Sequence, residues 1–224
     1  MLTISHRGYS SEATENTLEA FDHADRLGAD GIETDIRVTT DGRLVLFHDR
    51  RLVDGRAVCD LGYAELCKTV GFSVPTLEEA LDRLQHTFWV LELKDPNATK
   101  KYICALTEFV SSRRLLVISF WHNVIAEVQR QLDVDCGVTV AHRPVDFRIS
   151  SFTEGHTIVW RYEYTDKELI HESSANGHRN FVYNLQGIDE HRNCFELGVD
   201  GIITDKPLLA AACKKELPAE NDSP

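Results

Sequence analysis

The stretch Gly31–Asp49, GIETDIRVTTDGRLVLFHD, decides how the chain folds. Two strand-like runs, Gly31–Thr39 and Arg43–His48, flank Asp41-Gly42. An Asp-Gly pair between alternating apolar runs signals a hairpin, because glycine reaches positive φ without a Cβ clash. In the first run Ile32, Thr34, Ile36 and Val38 share one face, and Glu33, Asp35 and Arg37 share the other. Two carboxylates one pleat apart repel unless a cation lies between them. A two-residue turn places Asp35 opposite His48. A three-residue turn with a glycine bulge slips the register by one and removes that pairing. With either turn, acids and a histidine gather near strand ends, which marks the hairpin as a candidate functional element.

Outward from the hairpin, strands alternate with helical patterns. The strand candidates are Leu2–Ser5, Gly31–Thr39, Phe88–Lys94, Leu115–Phe120, Asp135–Val140, Thr157–Tyr162, Asn180–Leu185 and Gly201–Thr204, with Arg43–His48 as an extra hairpin arm. Most are followed by a helix. Asn16 with Glu19, and Thr76 with Glu79, have capping-box spacing. Leu18, Phe21, Ala24 and Leu27 recur at helical intervals, and further helices are expected over Asn97–Arg113, His122–Leu132, Asp166–Asn176, Ile188–Leu197 and Leu208–Lys215. Arg50–Ser73 reads as a loop with one short helix near Tyr63–Thr69, and Ala141–Glu154 as irregular. Eight β-α units in 224 residues predict a single-domain TIM (β/α)8 barrel over residues 1–215, with a short insertion after the second strand and a polar tail at 216–224. A doubly wound open sheet is the competing architecture. It lacks support because no G-x-G-x-x-G or G-x-x-x-x-G-K loop follows a strand.

Composition narrows the function. The net charge is −12, from 24 basic and 36 acidic residues, which argues against nucleic acid or an anionic membrane as partner. No run approaches the ~18 apolar residues of a membrane span, so no stable membrane insertion is expected. The N-terminus MLTISH lacks the basic and apolar regions of a signal peptide. The six cysteines are scattered without a C-x-x-C pair, which fits reduced thiols in a cytoplasmic protein better than zinc.

In such a barrel the chemistry sits at the C-terminal ends of the strands. His6 and Arg7 follow the first strand. Glu33 and Asp35 lie on the second, and His48 ends its hairpin partner. Glu92 and Lys94 lie on the third strand, and Asn184 on the seventh. Three carboxylates are hard oxygen ligands suited to Mg²⁺ or Ca²⁺. Arg7 and Lys94 offer positive charge to a phosphate. His6 and His48 provide one general base and one general acid. Together these groups describe cleavage of a phosphate ester. Taken singly, each has a structural reading: the acids as a solvated strand face, Glu92 and Lys94 as a surface pair, the histidines as two among ten.

Ordered motifs make this specific. His6-Arg7-Gly8, Thr14-Glu15-Asn16-Thr17, Gly28-Ala29-Asp30-Gly31-Ile32-Glu33-Thr34-Asp35 and Asp41-Gly42…His48-Asp49 resemble the signature of the glycerophosphodiester phosphodiesterase family. Val74–Glu79 (VPTLEE), Leu91–Lys94 (LELK), Ser119-Phe120 and Gly201–Pro207 (GIITDKP) resemble its later motifs, so the likeness runs from His6 to Pro207. It implies a TIM barrel related to phosphatidylinositol-specific phospholipase C that hydrolyses small glycerophosphodiesters to glycerol 3-phosphate and an alcohol, with a divalent cation. Carried over, Glu33, Asp35 and Glu92 bind the metal, His6 and His48 are the acid–base pair, and Arg7, Lys94 and Asn184 hold the substrate. Thr14 replaces a usual proline, Phe181–Asn184 (FVYN) keeps the asparagine of a W-T-V-N pattern without its tryptophan, and Arg50–Ser73 is short and lacks the R-T pair usual after H-D. That segment covers the barrel mouth in the family, so it bears on substrate preference. The alternatives are a lysophospholipase D or sphingomyelinase D-like activity on lipids, and an inactive barrel that binds a phosphorylated metabolite.

Overall fold

The structure is a computed structural model that describes residues 1–144 and 157–216. Its framework is a closed barrel of eight parallel strands: β1 (Leu2–His6), β2 (Gly31–Val38), β4 (Phe88–Leu93), β5 (Arg114–Ser119), β6 (Asp135–Val140), β7 (Thr157–Arg161), β8 (Arg179–Tyr183) and β9 (Gly201–Thr204). Each pairs in parallel with the next, and β1 closes the ring by pairing with both β2 and β9. The short β3 (Leu44–Leu46) runs antiparallel to the C-terminal end of β2, pairing with Ile36–Val38 beyond the residues that meet β1. The outer helices are α1 (Leu18–Arg26), α2 (Tyr63–Val70), α3 (Leu77–Arg83), α4 (Thr99–Leu106), α5 (His122–Gln131), α6 (Lys167–Ala175), α7 (Ile188–Leu197) and α8 (Pro207–Glu216). This is the TIM barrel that the strand–helix alternation predicts.

Strand alternation divides the core in two. Ile4, Phe88, Val90, Leu116, Ile118, Val159, Phe181 and Ile203 point inward and fill the barrel. Ile32, Ile36, Trp89, Leu91, Val117, Val138 and Ile202 point outward beneath the helices, where Phe21 of α1 meets Trp89 edge-on at 5.1 Å. Burying one such large side chain stabilises the fold by about 1.5–3 kcal/mol. Because Phe88 and Val90 point inward, Glu92 does too. By the same parity His6 follows Ile4, and Asp205 follows Ile203. The inward-facing residues of β1 and β4 therefore run from apolar at the barrel floor to charged at the mouth: Leu2, Ile4, His6 and Phe88, Val90, Glu92.

The hairpin takes the three-residue turn. Ile36, Arg37 and Val38 pair with Leu46, Val45 and Leu44, so Phe47, and not His48, lies opposite Asp35. Gly42 sits at φ +85°, where a side chain would be strained. The Thr39 hydroxyl donates to Asp41 at 2.5 Å and accepts from the Arg43 amide at 3.1 Å, which fixes this register. Asp41 also accepts from the Tyr63 amide at 3.2 Å and so anchors the start of α2. The insertion is a small packed unit, with Val45, Leu52, Val58, Leu61, Leu66 and Val74 as its own core.

Two local expectations change. Asn16 is not a cap: Thr17 caps α1, accepting from the Ala20 amide, and Asn16 is free for another role. The helix expected over Asn97–Arg113 is regular only over Thr99–Leu106, following a 3-10 turn at Pro96–Ala98. Thr76 and Glu79 do form the capping box of α3. Residues 145–154 of the irregular segment and residues 217–224 of the tail lie outside the described residues. Among those described, no helix is long and apolar enough to cross a membrane, and the six cysteines are unpaired.

Candidate active site

Sheet register assembles the site. His6 is the lateral neighbour of Glu33 across β1–β2, and Asp35 is the neighbour of Glu92 across β2–β4. Oxygens of Glu33, Asp35 and Glu92 lie within 4.8 Å of one another, and all three residues are buried. Lys94 reaches back from the end of β4, with Nζ 2.8 Å from Asp35 Oδ1 and 2.7 Å from Glu92 Oε1. Arg7 approaches from the opposite side. Its Nε is 3.0 Å from Asp35 Oδ2, and its guanidinium also pairs with Glu15 at 2.8 Å. The Arg7 amide donates to Glu33 at 3.1 Å because its backbone is left-handed, φ 55°. Gly8 follows at φ +79°, and a Cβ there would come 2.7 Å from the Ala20 backbone. The His-Arg-Gly turn is thus moulded to carry Arg7 over the acids.

Electrostatics show what the acids lack. Burial drives the Glu33 carboxyl up to about 8, assisted by the Asp35 charge beside it. Burial pushes Asp35 the same way, but Lys94 and Arg7 overcome it and hold Asp35 down to about 2. Burial also raises Glu92, against the pull of Lys94. Glu33 Oε1 is buried with no hydrogen-bond partner among the described residues. Three buried carboxylates facing two cations hold one charge too many, which without a metal is offset by the proton that the raised Glu33 retains. These hard oxygen donors, with an orphaned acceptor among them, fit a divalent cation such as Mg²⁺ or Ca²⁺.

Both predicted histidines line a cavity of about 340 Å³ at the barrel mouth, together with Arg7, Glu33, Glu92, Lys94 and Asn184. His6 Nδ1 lies 2.6 Å from Asp205 Oδ1. Burial alone pulls the imidazole down, but the bond to Asp205 and the charge of Glu33 outweigh it and raise His6. His48 projects from beyond β3, with Nδ1 2.9 Å from Asp49 Oδ1. Its backbone carbonyl accepts from Arg37 Nε at 2.9 Å, and Arg37 is held in turn by Asp95 at 2.6 Å. Asn184, at φ 69°, donates to Glu163 at 2.9 Å on the cavity rim.

The structure therefore brings all eight sequence-predicted residues to one mouth. It adds three groups that the sequence reading did not use. Asn16 donates to Asp35 Oδ2 at 2.9 Å and accepts from the Thr34 hydroxyl at 2.6 Å, which orients the buried carboxylate. Asp205 fixes His6, and the Arg37–Asp95 pair fixes the backbone of His48. The motifs containing Asn16 and Asp205 were visible, but their partners are distant in sequence.

Fold and site define a TIM-barrel enzyme with an acidic centre, able to hold a cation, flanked by two histidines. The family model of the Glycerophosphoryl diester phosphodiesterase family matches residues 6–209. A glycerophosphodiester phosphodiesterase of Caldanaerobacter subterraneus subsp. tengcongensis is 30% identical over 92% of this chain and 94% of its own. One from Bacillus altitudinis is 30% identical over 96% and 98%. In fold, the chain is similar to an Oleispira antarctica phosphodiesterase solved in complex with the product sn-glycerol-3-phosphate. The TM-score is 0.86 at 22% identity, covering 96% of this chain and 97% of that one. The chain belongs to the glycerophosphoryl diester phosphodiesterase family.

Proposed function

We propose that this protein hydrolyses small glycerophosphodiesters to glycerol 3-phosphate and an alcohol, with a divalent cation held by Glu33, Asp35 and Glu92. The observation that carries this reading is the cluster of three buried carboxylates beside two cavity-lining histidines and two cations. The names of its relatives point to the same substrate class. When bound, the cation supplies charge neutralisation at the phosphate and polarises its oxygens. Mg²⁺ and Ca²⁺ both suit the donor set.

The chain's own residues do the rest. Arg7 and Lys94 attract and orient the phosphate, and Asn184 hydrogen-bonds the substrate at the rim. The Asp205 carboxylate holds the Nδ1–H tautomer of His6, so Nε2 is left to accept a proton, and the raised basicity of the ring favours that transfer. His6 is accordingly the general base and His48 the general acid that protonates the leaving alcohol. This placement serves a water nucleophile or the substrate's own 2-hydroxyl. The half-exposed aromatics Phe120 and Trp121 offer too little apolar rim to make an acyl-chain substrate the first choice.

The test is a panel of glycerophosphodiesters assayed for glycerol 3-phosphate with added Mg²⁺ or Ca²⁺. Product is expected from deacylated diesters in preference to lysophosphatidylcholine. Release of glycerol 3-phosphate from none of them would overturn the reading.

A further inference from the structure

Beside the barrel-mouth cavity lies a second, larger hollow of about 740 Å³. It runs between the β2–β3 hairpin, the segment after β4 and the start of α5. The two hollows adjoin, with Glu92, Lys94 and Phe120 lining both. A diester whose phosphate sits against Lys94 has two arms, and the hollow offers room for the second.

The charges in this groove are unequal in how they are matched. Arg37 is neutralised by Asp95 at 2.6 Å, and Lys94 by Asp35 and Glu92. Arg50 and Lys101 also line the groove, both exposed, and among the described residues neither has an ion-pair partner. The Lys101 ammonium lies against the hairpin turn, 3.8 Å from where a Cβ on Gly42 would stand. Two unmatched cations in one groove are notable in a chain of net charge −12. Phe120 and Trp121, 44% and 48% exposed, add an apolar wall for a carbon skeleton. Such rings attract a quaternary ammonium, but the two nearby cations oppose one.

We propose that this groove receives the leaving alcohol of the diester, and that Arg50 and Lys101 select an alcohol bearing negative charge. This rests on the hydrolytic reading above and names the substrate class within it. The phosphate lies at the Glu92–Lys94 junction, the glycerol arm in the barrel-mouth cavity, and the anionic arm between Arg50, Lys101 and the aromatic wall.

The experiment compares kcat/KM for glycerophosphoinositol and glycerophosphoinositol 4-phosphate, which differ by one phosphate on the leaving arm, with glycerophosphocholine as the cationic comparator. The wild-type chain should prefer the phosphorylated diester. Arg50→Glu and Lys101→Glu should each lower the ratio of phosphorylated to unphosphorylated diester by roughly threefold to tenfold, the range for reversing a partly screened surface charge. Lys214→Glu makes the same change in net charge on the last turn of α8, a helix that follows β9 and so runs back from the mouth toward the floor of the barrel, and should leave the ratio alone. A ratio unmoved by both groove variants, or a wild-type preference for glycerophosphocholine, would overturn the proposal. If no diester releases glycerol 3-phosphate, the hydrolytic reading fails. Calorimetric binding of the two inositol diesters then judges the groove, with the same loss of discrimination expected in both variants.

Discussion

Asp205→Asn tests how the site controls a proton. In the structure Asp205 Oδ1 is 2.6 Å from His6 Nδ1, and the asparagine keeps the shape while removing the charge. A hydrogen bond to a charged group contributes about 1.5–3 kcal/mol. The Asp205 side chain is 53% exposed, so solvent screening places this one near the lower bound, ~1.5 kcal/mol. That corresponds to about tenfold in rate. Loss of the fixed tautomer adds to it, because an amide can accept from either ring orientation or donate to the wrong nitrogen. We expect kcat to fall by at least about tenfold while KM changes little. The pH profile should move as well. Burial pulls His6 down and Asp205 opposes that pull. Without the carboxylate the ring therefore loses its proton at lower pH, and the acidic limb of activity, where the base becomes protonated, shifts to lower pH. Coupled oxidation of released glycerol 3-phosphate reads the rate, and circular dichroism checks the fold. A variant with kcat within twofold of wild type and an unmoved acidic limb would refute the assignment of His6 as an Asp205-tuned base.

His48→Ala should keep the fold and lose turnover by roughly 10²–10⁴-fold, the range for removing an acid–base group, and Glu92→Ala should keep the fold and lose turnover together with cation affinity; full activity in either would remove that residue from the site. Glu33, at about 8, must give up its proton to a cation, so affinity for Mg²⁺ or Ca²⁺ should rise as pH climbs toward about 8 and each binding event should release a proton, measured by calorimetry in buffers of different ionisation enthalpy. Asn16→Ala leaves Asp35 Oδ2 without its neutral donor in a buried setting and should lower stability by about 1–3 kcal/mol, read by urea unfolding; an unchanged midpoint would show that Asn16 contributes nothing to the carboxylate.

The barrel was legible because its strands are short, bounded by turn residues and separated by helical periodicity. Parity along those strands also put Glu33 and Asp35 on one face and Glu92 opposite Leu91 and Leu93; that these faces point inward follows from Phe88 and Val90 packing inside the barrel. Parity did not reveal closure. That residue 205 returns beside residue 6 depends on β9 pairing with β1, which nothing local encodes. Asn16 shows a different limit. Its spacing to Glu19 imitates a cap, but the side chain does better by serving Asp35 and Thr34, and Thr17 takes over the helix end. The hairpin register likewise turned on a side-chain network, Thr39 to Asp41 and Arg43, that chooses the three-residue turn over the two-residue one. Arg37 shares a face with the acids, yet it lies one pleat too far along and turns to Asp95 and the carbonyl of His48.

Turnover should depend on a cation held by the Glu33–Asp35–Glu92 cluster. Metal content and glycerol 3-phosphate release should be measured on one preparation, after chelation and after reconstitution, for wild type and Glu33→Gln. Stripped wild type should be inactive and regain activity with one tightly held Mg²⁺ or Ca²⁺, and the variant should recover neither. Full turnover by the stripped protein, or undiminished metal binding in the variant, would contradict that dependence.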